Sequence, residues 1–282
     1  MRVFKIGGVP EYFNLPIKAA IADSELRHKE IDLQWQDVKE GTGAMAKMLH
    51  DGELDMAMIL LEGATKSVLE GQRIKLVQNY VTSPLLWGVH TSPYVNNFDE
   101  LYSRRVGISR YGSGSHMMAF LMAEKYGWPK ESLDFVVINN LDGAIDAFSK
   151  QEIDLFLWEK FTTKPFVEKG HMNCIDVVET PWPCFILAAN SRTVSAYSKE
   201  LKQICQVINT QSKHFQSSPD LPNIIANTYQ LSIEDAKIIS RNTRWSTEMQ
   251  MDEEAIQKVM STYKELNVIQ RAKPTNALVA FS

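Results

Sequence analysis

The sequence predicts an α/β protein built as two similar lobes, and three observations lead there. Short apolar runs alternate with amphipathic segments through residues 1–190, the pattern of layered strands and helices. From about residue 190 the chain reads as mostly helical. A helix end, Glu-apolar-Asp and an apolar strand start recur together: Met48-Leu49-His50-Asp51-Gly52-Glu53-Leu54-Asp55-Met56-Ala57 is echoed by Ala147-Phe148-Ser149-Lys150-Gln151-Glu152-Ile153-Asp154-Leu155-Phe156. At 282 residues, 44% hydrophobic and 23% charged, the chain suits one large or two medium ordered domains.

The first strand is expected over residues 3–9 and a helix over 15–26, with Pro16 in the first turn, where its missing N–H costs nothing. Ile31, Leu33 and Trp35 alternate along a second strand over 31–38. Gly41-Thr42-Gly43 feeds a helix through Leu49, and 54–61 is a continuous apolar strand suited to a covered sheet. A short helix over 63–69 and strands over 74–81 and 86–89 follow. The second lobe starts with a turn or helix at 99–101, then a strand at 106–109 and a helix at 115–126 ended by Gly127. Next come a strand at 135–138, a helix at 142–148, a strand at 153–158, a helix at 159–168 despite Pro165, and a strand at 174–178. Residues 185–190 cross back, and helices are expected at 193–215, 220–229, 233–239 and 253–266, before a weakly patterned tail. The lobes are therefore 1–88 with 189–282, and 89–188, with crossings near 86–90 and 185–190.

Lys+Arg 30 against Asp+Glu 34 gives a net charge of −4, which offers no general attraction to nucleic acid. Cys174, Cys184 and Cys205 form no CxxC pair and read as buried thiols in a reducing compartment. The six histidines make no HxxxH or HxH grouping, so no metal site is expected. No run approaches a membrane span, so no membrane insertion is expected. The start, Met1-Arg2-Val3-Phe4-Lys5-Ile6, enters a strand pattern directly. The expectation is a cytoplasmic protein, or a periplasmic one if a leader has been removed.

The clearest chemical signal is Ser109-Arg110-Tyr111-Gly112-Ser113-Gly114-Ser115-His116, between a predicted strand and a predicted helix. Free N–H groups at a helix start, glycine-permitted turns and hydroxyls make a cradle for a carboxylate, sulfonate or phosphate. Tight turns and caps use the same residues, and both readings stay open. Neither the dinucleotide fingerprint nor the Walker lysine is present. Glu11, Thr42 and Glu62 follow the first three strands, at the edge where ligands bind open α/β sheets. Ser83 and Leu86-Trp87 fall near the first crossing, Trp158 and Glu159 at a strand end of the second lobe, and Trp182 just before the return. These aromatics suit either a pocket wall or core. No GxSxG elbow occurs, adjacency does not make Ser115 and His116 a working pair, and no catalytic residue is assigned.

The set PEYFNLP (10–16), GTGAM (41–45), LLEG (60–63), SPLLWG (83–88), SRYGSGSH (109–116), LDGA (141–144), WEKFTTKP (158–165) and PWPC (181–184) resembles a soluble fungal and bacterial branch of the type 2 periplasmic-binding-protein superfamily. That branch is related to nitrate-, taurine- and alkanesulfonate-binding proteins and to the thiamine-pyrimidine synthases. The resemblance implies two α/β lobes closing on a small ligand in the cleft between them. Its pocket, carried onto this chain, comprises Glu11, Thr42, Glu62, Ser83, Ser109, Tyr111, Gly112, Ser113, Gly114 and Ser115, completed from lobe two by Asp142, Trp158, Glu159 and Trp182. The synthases' cysteine-rich segment is missing, and Lys18 and His28 do not reproduce their cofactor-binding arrangement, so no cofactor is expected.

The expected function is non-catalytic binding of a compact anionic or zwitterionic small molecule. The alternatives are an enzyme of pyrimidine or thiamine-precursor metabolism, and a solute receptor of an ABC transporter. A permease is a partner only for an exported chain.

Overall fold

The computed structural model describes residues 1–95 and 105–281. The turn or helix expected at 99–101 lies outside the described residues. In chain order the first elements are β1 (Arg2–Gly8), α1 (Leu15–Ala22), α2 (Ser24–His28), β2 (Ile31–Asp37), α3 (Thr42–Asp51), β3 (Met56–Leu60), α4 (Leu61–Leu69) and β4 (Ile74–Val81). The middle of the chain supplies β5 (Leu86–Thr91), β6 (Arg105–Ile108), α5 (Gly114–Lys125), β7 (Asp134–Val137), α6 (Leu141–Ser149), β8 (Leu155–Glu159), α7 (Lys160–Glu168) and β9 (Asn173–Glu179). Then come β10 (Phe185–Asn190), α8 (Ser191–Ala196), α9 (Ser198–Ser217), α10 (Leu221–Tyr229), α11 (Ile233–Asn242), α12 (Glu253–Glu265) and α13 (Thr275–Leu278).

The chain divides into two compact units: Met1–Ser83 with Trp182–Ser282, and Pro84–Pro181. Unit 1 holds a sheet of order β2-β1-β3-β10-β4, in which β1 runs parallel to β2 and β3, and β10 runs antiparallel to β3 and β4. Unit 2 holds a sheet of order β7-β6-β8-β5-β9, in which β6 runs parallel to β7 and β8, and β5 runs antiparallel to β8 and β9. The two orders are the same pattern: a parallel βαβαβ stretch, one inserted antiparallel strand, then an edge strand. The repeated Glu-apolar-Asp signature falls at the matching place in both, ahead of β3 and of β8. Continuous apolar runs mark strands covered on both faces, and the first four residues of β3 are buried accordingly. In unit 2, Ile138, Ala144, Phe148, Ile153, Phe156 and Met172 form a core against which Trp158 packs.

The passages between the units lie at 83–84 and 181–182, a few residues ahead of the stretches expected near 86–90 and 185–190. The reason is pairing: β5 hydrogen-bonds wholly within the second sheet and β10 wholly within the first. On the unit 1 side of the passages the Cys184 N–H donates to the Ser83 carbonyl (3.2 Å). On the unit 2 side the Leu85 N–H donates to Thr180 Oγ1 (3.0 Å).

Two expected helices are each two. Residues 15–26 break at Asp23, which turns to φ −69°, ψ 137° so that its carboxylate accepts the Glu25 N–H and caps α2. Residues 193–215 break at Tyr197, with φ −136° between α8 and α9. α4 starts two residues earlier than expected, which brings Glu62 into its first turn. The weakly patterned tail contains α13, and Val279 bridges to Leu76 of β4. No helix among the described residues is long and apolar enough to cross a membrane.

Candidate functional site

In unit 1 the residues following β1, β2 and β3 draw on one another. Gly41, at φ +78°, turns the chain into α3, a conformation that favours glycine. Thr42, first in that helix, accepts the Leu60 N–H on Oγ1 (3.2 Å), tying the start of α3 to the end of β3. A Cβ at Gly63 would overlap Thr42 Cγ2, so the first turn of α4 is in direct contact with Thr42. Glu62 lies in that turn and is 1% exposed. Its Oε2 accepts from the Trp182 indole N–H (3.1 Å), while its Oε1 has no partner among the described residues. Burial pushes the Glu62 carboxyl up to about 7, opposed only by its own backbone bond and by Trp182. Burial, then the neighbouring charges of Glu62 and Glu11, likewise raise the Cys184 thiol. Glu11 is half-buried ahead of a single 3-10 turn, Tyr12–Asn14, and its carbonyl accepts from Asn14. Ser83 stands apart from this group: its Oγ accepts the Arg244 N–H (3.1 Å).

In unit 2 the Gly/Ser segment connects β6 to α5. Gly112 is at φ +70°, and Ser113 caps α5, its Oγ accepting the His116 N–H (3.3 Å). Ser115 Oγ accepts the Ser109 N–H (2.9 Å) and contacts the hydroxyls of Ser109 (3.2 Å) and Ser113 (3.1 Å). The Gly112 N–H donates to His116 Nδ1 (3.0 Å). Several groups expected as ligand donors are thus partnered inside the turn. The N–H groups of Gly114 and Ser115 lie in the first turn of α5, where no helical carbonyl can reach them. Tyr111 is 62% exposed, its ring edge-on to His116 (5.4 Å).

Glu159 ends β8 and caps α7: Oε2 accepts the Thr162 N–H and the Thr162 hydroxyl, each at 2.7 Å. Trp158 precedes it and so points to the opposite sheet face, stacking on Phe156 at 5.3 Å among the core side chains. Asp142 is exposed in the first turn of α6, whose cap is Asn140, accepting the Gly143 N–H (2.9 Å). The structure therefore gathers Thr42, Glu62 and Trp182 in unit 1, and Ser109, Gly112, Ser113, Gly114 and Ser115 in unit 2. Trp182 was expected from lobe two; it belongs to unit 1 because it leads directly into β10.

Three contributors were not assigned from sequence. His116 fastens the turn through Gly112, and burial holds its imidazole down to about 4, neutral with Nδ1 as acceptor. Fully buried His90 is held down to about 4 for the same reason; its Nδ1 contacts the Phe156 carbonyl (3.3 Å) and its Nε2 the Thr163 hydroxyl (2.8 Å). Trp87, paired with Glu159 in the β5–β8 register, has a buried indole N–H without a partner among the described residues. All three bonds span turns or strands, and only the Gly-x-x-x-His spacing of 112–116 offered a local signal.

Two mixed sheets of one shared order, with helices on each, match the fold of the type 2 periplasmic-binding-protein superfamily. The profile of the Ca3427-like PBP family matches residues 87–178. The solved structure of the Candida albicans CA3427 gene product, described as exhibiting the generic periplasmic binding protein fold, is similar at 26% identity and TM-score 0.88, covering 99% of this chain and 96% of that one. The alkanesulfonate-binding protein SsuA of Xanthomonas axonopodis pv. citri, bound to MOPS, aligns at 12% identity and TM-score 0.80, covering 98% and 97%. The nitrate-binding protein NrtA of Synechocystis aligns at 12% identity and TM-score 0.68, covering 98% and 84%. No curated protein matches the sequence.

Proposed function

We propose that the chain binds a compact anionic or zwitterionic small molecule. The observation that carries this reading is the start of α5: first-turn N–H groups that no helical carbonyl reaches, at the positive end of a 12-residue helix, in a turn whose other polar groups already hold one another in place. That preorganisation lowers the cost of ordering the site on binding. The named ligands of two structural neighbours, an alkanesulfonate and nitrate, are anions of this kind. Exposed Arg110 adds positive charge to the turn.

Isothermal calorimetry of the whole chain against small sulfonates, carboxylates and phosphonates tests this. Gly114→Asp puts a carboxylate at the helix start, where it competes for the same N–H groups. It is expected to weaken binding by roughly ten-fold or more without loss of helical signal. No binding across the panel, or binding indifferent to Gly114→Asp, removes the reading.

A second reading, proton transfer on a bound substrate, is favoured by the Glu62 carboxyl, which titrates near neutrality where an acid–base group works best. Turnover of a bound compound, abolished in Glu62→Gln with binding retained, is its signature.

A further inference from the structure

We infer that Glu62 is a pH-sensitive latch: its carboxyl moors the chain's return into unit 1 through Trp182, and ionisation lets that mooring go. Every group involved lies in unit 1. Trp182 is the first residue of unit 1 after the passage at 181–182, with Pro181 and Pro183 on either side of it. Neither proline has an N–H, so the backbone offers little to hold this stretch. Bonds from its neighbours take over. The Trp182 indole N–H donates to Glu62 Oε2 (3.1 Å), the Leu61 N–H to the Cys184 carbonyl (3.0 Å) and the Cys184 N–H to the Ser83 carbonyl (3.2 Å). The first turn of α4, through Leu61 and Glu62, is thus where the returning chain is fastened.

The fastening is sound while the carboxyl carries a proton. Glu62 is 1% exposed, and its Oε1 has no partner among the described residues. The neutral acid leaves one hydroxyl unmet, whereas the carboxylate buries a whole charge against an indole N–H, which is far costlier. The elements packed against α4 bring no cation to it. Lys66 of α4 pairs with Glu70 (2.6 Å). On α3, Lys47 pairs with Asp51, and His50 accepts the Arg73 N–H (3.0 Å). On β4, Lys75 donates to the Ala277 carbonyl (2.5 Å), and the Tyr80 phenol to the Phe13 carbonyl (2.7 Å). The charged residues of α12 are exposed, and β3, β10 and α13 have none. Nearer at hand are the Cys184 thiol and Glu11, which can add only negative charge. Ionisation would strengthen the indole bond itself. Burial outweighs that gain, since it lifts the carboxyl to about 7. The carboxylate is relieved by turning to water, and Trp182 then loses its acceptor. Once in water the group ionises near 4.5, so release is favoured progressively from there to about 7 and levels off above.

Hydrogen exchange read by NMR on the isotope-labelled whole chain tests this. The reporters are the Trp182 indole N–H, identified with Trp182→Phe, and the amides of Leu61 and Cys184. With intrinsic rates divided out, their protection is expected to fall by roughly ten-fold per pH unit between about pH 5 and 6.5, and to level off above about pH 7. They are expected to exchange ahead of the amides of Met58 and Leu187, which face each other in the β3–β10 pair, marking a local release and not the unfolding of unit 1. Glu62→Gln keeps an acceptor for Trp182 but has no charge to bury, and its profile is expected to be flat. Protection independent of pH in the native chain overturns the latch, as does the same pH dependence in Glu62→Gln. Reporters exchanging no faster than Met58 and Leu187 overturn it too. The native profile is measured on the unmutated chain, so it decides even where Glu62→Gln folds poorly.

Discussion

Glu62 has no cationic partner among the described residues, so its carboxyl is better accommodated with a proton. In the unfolded chain it ionises near 4.5; in the fold it holds its proton to about 7. The folded state therefore binds more protons between those values, and stability falls as pH rises through that window. The difference corresponds to about 3 kcal/mol. Urea unfolding at pH 4.5 and 7.5 is expected to show Glu62→Gln gaining most over the native chain at the higher pH, with the advantage vanishing at the lower. A constant advantage at both would mean that the carboxyl is not confined as described. His116 makes a different residue-scale prediction. His116→Phe keeps the ring among Tyr111, Phe120 and Phe135 but removes the acceptor for the Gly112 N–H. A loss of about 1 kcal/mol is expected, with faster hydrogen exchange at the Gly112 amide. Unchanged exchange there would show that the turn holds without the histidine.

The elements show why some of this was legible and some was not. Strand β4 runs over the residues its apolar pattern marked, 74–81, because period and burial agree there. The break at Asp23 was also written locally, as a capping residue followed by Ser24 and Glu25, but the helical spacing on either side masked it. The bond between Glu62 and Trp182 spans 120 positions, and no window of sequence contains both partners. Even the side of the chain on which Trp182 falls depended on β10 pairing with β3 and β4, a tertiary fact. The Gly/Ser turn stands out in the sequence, yet its hydroxyls bond mainly with one another, since short polar side chains in tight turns compete for nearby backbone groups. Two glycines in unit 2 test the packing of its elements for different reasons. At Gly143 an added Cβ would overlap the Ile138 carbonyl, jamming the first turn of α6 against the residues that follow β7. Gly143→Ala is expected to cost about 2 kcal/mol or more in chemical denaturation. Gly127 at φ +66° faces open space, so Gly127→Ala meets only backbone strain and is expected to cost about 1 kcal/mol. The reverse ranking would contradict the contact of α6 with the segment after β7.

At the scale of the whole molecule, the titrating groups are divided unequally between the units. Glu62 belongs to unit 1, and His90 and His116 belong to unit 2. The histidines are held neutral by burial down to about 4, whereas in an unfolded chain they take up protons near 6.5. Their folded state is therefore opposed as pH falls from about 6.5 toward 4, and His90 alone represents about 3 kcal/mol over that range. Protonated His90 loses its role as acceptor at Nε2, and with it the Thr163 contact behind Glu159 and α7. Protonated His116 turns the Nδ1 acceptor into a donor facing the Gly112 N–H, so the Gly/Ser turn is released. Over the same interval Glu62 shifts the balance of unit 1 the other way, because acid supplies the proton its carboxyl already favours. Acid is thus expected to act on the units in opposite senses. Hydrogen exchange read by mass spectrometry at pH 7 and at pH 4.5 should show protection falling across 84–181, most at 105–125 and 155–168, while residues around α4 and β10 hold theirs. Protection lost equally in both units, or first in unit 1, would mean that the three buried groups do not govern the acid response.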